Sequence, residues 1–510
     1  MFKNIAIIIV LFACSTLTAN AQKIFYSEPD HNDQKSLDFD VAGKINNHYL
    51  IYKNYRADNY ISVYDGEMKL VENVTLDFMP DKLLGTDLIT YKDFFYLFYQ
   101  YQKRGIAYVM AAKIDGDGKI IGDPLELDTT IINSFSNNRV YNILGSEDKQ
   151  RIAVFKINSK NNDRYFLTTS LFDNNLKLTN KSRVTVDMPN RSDFLSEFTL
   201  GNDGSLVFLR AAGSADNDNI NKLTLLSKQP DDDSVYSFDL NVKDIYLDDV
   251  KIKIDNINKH YLISSFYSKQ KRGNIDGLYC AVWDKRNQKI MYETSTTFSE
   301  EIRNNAKNEG NPKYAFNDFY IQNILVRKDG GFVIASESVY SSTRGSNYSR
   351  WDYLYGSPFM RPSDYYLYSP SFYNSYYYPW SRWGNYGGFQ VNRYFADNIA
   401  IIALDSTANM QWTNIINKSQ YDDYTDNFIG YGTLNTGGKF HFIFNQLEKR
   451  TLLLTDQSIT PDGEVNRSPT LHNLSKEYQF MPRYAKQVSS YELVVPCQYR
   501  NYICFAKVEY

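Results

Sequence analysis

The side chains able to do chemistry are spaced in ways that select no reaction. The five histidines, His31, His48, His260, His441 and His472, stand singly. None falls in a HExxH or HxH pattern, which would bring two imidazoles to one ion, so they read as surface or hydrogen-bonded side chains. There is no GxSxG elbow, no Walker loop and no GxGxxG following a strand. Asp115-Gly116-Asp117-Gly118-Lys119 looks faintly like a calcium loop, but it falls at a repeated turn and reads as a hairpin. The acidic runs at Asp231 to Asp233 and at Asp422-Asp423 read as solvated loops. A glycosidase-type acid/base pair could be drawn from the 59 carboxylates, but no spacing singles one out. No catalytic, cofactor-binding or metal-binding residue is assigned, and no cofactor is called for.

Cysteine gives a more definite expectation. Past the N-terminal leader described below, Cys280, Cys497 and Cys504 remain. In YELVVPCQYRNYICFAKV, a two-residue turn at Arg500-Asn501 sets Cys497 opposite Cys504. An oxidising compartment would allow a cross-strand disulfide there; two buried thiols facing a neighbouring sheet are the alternative.

Aromatic residues supply the candidate binding surface. Tyr occurs 43 times and Phe 31 times, and residues 343–395 form a Tyr-rich stretch without helical or strand periodicity. Its Trp351, Tyr353, Tyr355, Tyr365, Tyr366, Tyr368, Tyr376, Tyr377, Tyr378, Trp380 and Trp383 are large, stiff and half-polar, the chemistry favoured at contact surfaces. The segment reads either as a contact loop for an envelope protein, a glycan or the membrane interface, or as a low-complexity excursion over its own sheet.

The elements that must position these groups begin after a leader. Lys3, the apolar run Ile5 to Ala13 and the small residues of Ala19-Asn20-Ala21 match a secretory signal peptide, 1–21, with Gln22 as the new N-terminus. The run is too short for a spanning helix, which needs about 20 apolar residues, and no later stretch could serve. Cys14 offers a lipoprotein site instead, which the bulky Phe12 fits poorly. Net charge is −3 with both signs interspersed, so no basic face invites nucleic acid.

From residue 22 the chain reads as β throughout, in a repeated unit. An apolar strand ending near Asp65, Asp115, Asp173, Asp231, Asp284, Asp405 and Asp462 leads each time into a turn and a shorter strand. The spacings are 50, 58, 58, 53, 121 and 57 residues, and the one long interval is one unit plus the Tyr-rich insertion. Hairpins such as NILVRKDGGFVIASES and GTLNTGGKFHFIFN precede each copy, so one unit is four consecutive antiparallel strands. Units of this size packed face to face form a single β-propeller domain, 22–510. A partial unit at the C-terminus lacks a fourth strand, which KIFYSEPD, from Lys23, would supply. That arrangement has eight blades, or seven if one degenerate copy is not a blade.

The pieces KDGGFVIASES, DNIAIIALDSTANMQWTNIINKSQ and VVPCQYRNYICFAKVEY resemble a family of exported proteins of unknown function common in Bacteroidota. The resemblance covers roughly the last third of the chain. It implies a Gram-negative envelope setting, periplasmic, outer-membrane associated or at the cell surface, and no enzyme activity; it transfers no catalytic residue. A non-enzymatic binding or scaffold protein is therefore the leading expectation. A polysaccharide-acting hydrolase or lyase working across the propeller channel is the second. An outer-membrane barrel comes last, because FFYLFYQY and IAIIAL lack the required alternation.

Overall fold

The computed structural model describes residues 22–30, 37–132, 139–161, 163–190, 192–213, 219–307, 311–343, 346–347, 391–423, 425–448, 451–468 and 477–510. Nearly all of their regular structure is antiparallel β. The first sheet sets the pattern: Leu37–Ile45, His48–Tyr55, Asp58–Tyr64 and Leu70–Thr75 lie side by side in chain order. The second, third and seventh runs, residues 85–131, 142–187 and 431–467, repeat it. The fourth and fifth, 194–240 and 246–297, are merged into one sheet by a bridge between Ile220 and Leu247. The sixth, 319–416, carries two extra short strands. In the last, Lys486–Ser489, Glu492–Tyr499 and Tyr502–Glu509 are joined by Lys23–Tyr26, in register from Lys23↔Glu509 to Tyr26↔Ala506. The expected pairing of the two ends of the chain is thus present.

A recurrent aspartate makes the turn between third and fourth strands. Oδ1 of Asp65 accepts the backbone N–H of Glu67 at 2.8 Å and of Lys69 at 2.9 Å. Asp115, Asp173 and Asp405 do the same to the residues two and four positions on. Each turn needs a left-handed residue three positions after the aspartate, met by Met68 (φ 62°), Gly118 (φ 77°), Leu176 (φ 60°) and Ala408 (φ 63°). Glycine would adopt this conformation without strain. Three of the four are not glycine because their side chains fill the gap to a neighbouring sheet: Met68, Leu176 and Ala408 are all buried in inter-sheet cores. These aspartates are therefore committed to backbone, the Asp115 turn included. In the seventh run the turn is set by Thr460, whose Oγ1 accepts from Glu464 N–H, with Gly463 at φ 90°, rather than by Asp462.

The cores lie between sheets. Each run shares an apolar cluster with the next, as Ala42, Leu50 and Ile61 of the first do with Phe95, Leu97 and Ile114 of the second. The last shares one with the first: Met481, Val494, Ile503 and Phe505 pack against Leu37, Val41, Ile51 and Tyr64. Sheets covered on both faces explain the uninterrupted apolar strands, Ile399 to Leu404 being almost wholly buried. The fourth strands are the least buried, Leu70–Thr75 being exposed over most of its length.

Two expectations need correction. The chain is not β throughout: between the fifth and sixth runs Glu300–Ala306 is an α-helix, started by Ser299, whose Oγ accepts from Ile302 N–H, and by two glutamates in its first turn. The Tyr-rich insertion is also shorter than 343–395. Phe332–Thr343 and Val391–Leu404 pair as far as Thr343↔Val391, and Gln420–Asp422 pairs on the other side of Tyr394 to Ala396. Phe395 stacks on Tyr340 at 4.5 Å, so its ring belongs to the sheet.

Candidate ligand-binding cavity

The first strand of each run ends in a hairpin turn, and neighbouring turns are tied together. Tyr91 OH donates to Lys149 O (3.0 Å), Asp148 N–H to Asn202 Oδ1 (3.2 Å), and Asn202 N–H to Asn256 Oδ1 (3.0 Å). Between the last, first, second and third runs the strands come close enough for Cβ positions at Gly43 and Gly145 to meet Thr90 and Ile89 at 3.1 and 3.2 Å. Beside these contacts opens a cavity of about 720 Å³, lined by residues 42–44 and 46, 88–92, 145, 146 and 149, and 486–488. Its apolar lining includes Ala42, Leu88, Ile89 and Val488, and its polar groups include Lys44, Lys92, Lys149 and Lys486. None of its lining residues is acidic.

The four lysines are neutralised unequally. Lys44 Nζ lies 2.9 Å from both oxygens of Glu492, which also accepts from Tyr49 OH. Burial pulls the Glu492 pKa up, but hydrogen bonds from Lys44, Ser489 and Tyr49 outweigh it and hold the carboxyl below its ordinary value. Lys486 Nζ donates to Val41 O at 2.6 Å, with Asp40 at 4.0 Å. Lys149 Nζ donates to Thr90 O at 2.6 Å. Partial loss of solvent, and then the charge of Lys486, hold the Lys149 ammonium below the ordinary lysine range. Lys92 is exposed at the rim.

A second ionic cluster sits on first strands of the fourth and fifth runs. Irregularities in register at Ser196/Thr199 and Leu247/Val250 bring in Glu197, at φ 56°, and Asp249. Lys251 Nζ lies 3.0 Å from Glu197 and 3.2 Å from Asp249. Burial pushes both carboxyls up against the opposing charge of Lys251. Burial also works against the Lys251 ammonium, but Asp249 and Glu197 outweigh it and raise its pKa.

The Tyr-rich candidates, from Trp351, Tyr353 and Tyr355 through Tyr365, Tyr366, Tyr368, Tyr376, Tyr377 and Tyr378 to Trp380 and Trp383, lie outside the described residues. Cys497 and Cys504 are buried and directly opposed in register, with Sγ atoms 2.7 Å apart. The turn between them has Arg500 at φ 55°. His441 is a hydrogen-bonded core histidine, its Nδ1 3.0 Å from Asp456, and His48 Nδ1 lies 3.1 Å from Gly116 O. Among the described residues no three His, Cys, Asp or Glu side chains gather where they could hold a metal ion, and no helix is long and apolar enough to cross a membrane. The cavity lysines escaped the sequence reading because they lie far apart in the chain. Superposing the repeats on their first hairpin turn would have aligned Lys92 with Lys149, each two residues before the second strand.

The sequence matches no protein-family model and no curated protein. Among solved structures, prolyl oligopeptidase B from Galerina marginata bound to a macrocyclization substrate is similar over 92% of this chain and 56% of that one, with 8% identity and a TM-score of 0.39. This chain thus spans little more than half of that enzyme. An ulvan lyase, described as a new polysaccharide lyase family, is similar over 82% of this chain and 90% of its own, with 8% identity and a TM-score of 0.37. A cobalt-substituted apocarotenoid oxygenase of Synechocystis follows, over 73% and 72%, with 8% identity and a TM-score of 0.33. At these scores the likenesses carry no argument about activity.

Proposed function

We propose that this chain is an exported, closed, eight-bladed β-propeller acting as a non-enzymatic binding module of a Gram-negative envelope. Closure is supported by the Lys23–Tyr26 strand on Tyr502–Glu509 and by the core shared between the last and first sheets. Export is supported by the leader chemistry of Ile5 to Ala13 and Ala19-Asn20-Ala21. The observation that carries the binding reading is the cavity between the last, first, second and third runs, lined by both apolar side chains and lysines. A glycoside hydrolase of the usual kind would need a pair of carboxylates at that mouth, and none of the residues lining it is acidic. In an oxidising compartment thiol–disulfide exchange with a protein disulfide would join Cys497 to Cys504, the partner leaving as a dithiol.

The test is fractionation of cells expressing the full chain, with N-terminal sequencing and capture from envelope extracts. A mature N-terminus at Gln22 in the envelope, with retention of an envelope component, is expected. Cytosolic chain with an intact leader, or no retained component, would overturn the reading.

A further inference from the structure

The cavity's charge is out of balance in a way its surroundings do not correct. Lys44 is matched by Glu492 at contact distance. Lys486 and Lys149 instead each give one N–H to a backbone carbonyl, Val41 O and Thr90 O, with Asp40 4.0 Å from Lys486 as the nearest acid. An ammonium has three donors, so both keep donors for an incoming acceptor. Lys92 adds a further charge at the rim. Burial, and then the charge of Lys486, disfavour the charged form of Lys149, and an anion beside both ammonium groups would offset this. The lining admits more than a bare ion. Besides the ammonium groups it includes the apolar side chains Leu88, Ile89 and Val488, and about 720 Å³ is room for a small organic molecule. A sugar ring has such a mixed chemistry: carbon faces for the apolar side chains, and hydroxyls and an acid group for the lysines.

We propose that this cavity binds an acidic saccharide, uronate or sulfated, whose acid groups are held by Lys149 and Lys486, with Lys92 at the entrance. The inference rests on the binding-module reading and names its ligand class. Charge-assisted contacts of this kind are short, directional and weakened by salt.

Titration calorimetry on the full mature chain tests it with four probes: an oligogalacturonate, a sulfated disaccharide, a neutral cello-oligosaccharide and inorganic phosphate. Binding of at least one acidic saccharide is expected, weakened by salt, with no binding of the neutral sugar. The Lys149→Met/Lys486→Met double variant should lose about tenfold or more in affinity, while Lys119→Met, on an exposed turn elsewhere, should lose nothing. Thermal melting of each variant verifies that it is folded, and single variants replace the double one if it is not. Phosphate bound as tightly as the acidic sugars, or sugar binding unchanged in the variants, would overturn the assignment. Absence of acidic-sugar binding while wild type and variant still capture an envelope component would overturn it and leave the binding-module reading standing. Absence of both would overturn both.

Discussion

Lysines on the first strands of the sheets, and in the turns that follow them, are handled in two opposite ways. Between the fourth and fifth runs, Lys251 is closed in by Glu197 and Asp249, each within 3.2 Å, and all three are screened from water. Around the cavity, Lys149 and Lys486 make their closest contacts with carbonyl oxygens. A buried charge must be matched or it costs several kcal/mol, so the first arrangement is a requirement of folding. A lysine open to solvent has no such requirement, so the second can be kept for a ligand. Saturation separates a structural ion cluster from a binding one.

The sharpest way to break this comparison is to remove the matched lysine. Lys251→Met leaves two carboxyls buried without their counter-charge and should cost about 3–5 kcal/mol in urea denaturation at pH 7. Both carboxyls already have raised folded-state pKa values, so the folded state holds protons that the unfolded state has released. Stability therefore falls as pH rises above the ordinary carboxylate value of about 4, and the variant should recover much of its loss between pH 7 and pH 5. A loss under about 1 kcal/mol, or none regained on acidification, would mean that the cluster is not matched as described.

Glu492→Gln probes the one matched lysine of the cavity. It should cost about 1–2 kcal/mol, because Lys44 and Tyr49 lose a charged acceptor, and it should tighten acidic-saccharide binding a few-fold in calorimetry. Weaker anion binding would contradict the charge argument. Lys149→Met should change stability by no more than about 0.5 kcal/mol. A large loss in thermal melting would move Lys149 into the structural class. Replacing residues 344–390 by Asn-Gly should leave both regions untouched, because Tyr340, Phe395 and the strand pairing to Thr343↔Val391 are kept. A drop in melting temperature of more than a few degrees would show the removed residues packing on the sheets.

The repeat, the order of strands within it and the strand that joins the two ends were all legible, because turn chemistry and apolar runs are local signals. Asp65, Asp115, Asp173 and Asp405 could be found as turn residues, since one side chain satisfies two nearby N–H groups. The opposition of Cys497 and Cys504 followed from a two-residue turn. The helix at Glu300–Ala306 was missed although Ser299 and its two glutamates announce it, because seven residues are too few for a periodicity. Extending the insertion to Phe395 mistook an aromatic composition for a loop, when Tyr394 to Ala396 are held by strands on both sides. Neither ionic site was legible. Glu197 meets Lys251 across 54 positions, and Lys44 meets Glu492 across 448. Such pairs are created by the packing of one run of strands beside another, and no short window contains them.

The join between the chain's ends also fixes an order of events. Ser27 accepts a hydrogen bond from Phe505, 478 residues later, and the strand before it has its partner only when Tyr502–Glu509 exists. During synthesis Lys23–Tyr26 therefore emerges long before anything it can pair with, while each intervening hairpin can form as soon as it is made. Its closure is the contact of longest range and the slowest to reach by chain diffusion. Until then the last sheet presents an open edge to any other strand nearby. A chain carried across a membrane in extended form would meet that hazard on the far side, which makes prompt arrival of its final hairpin the step that protects it from its neighbours.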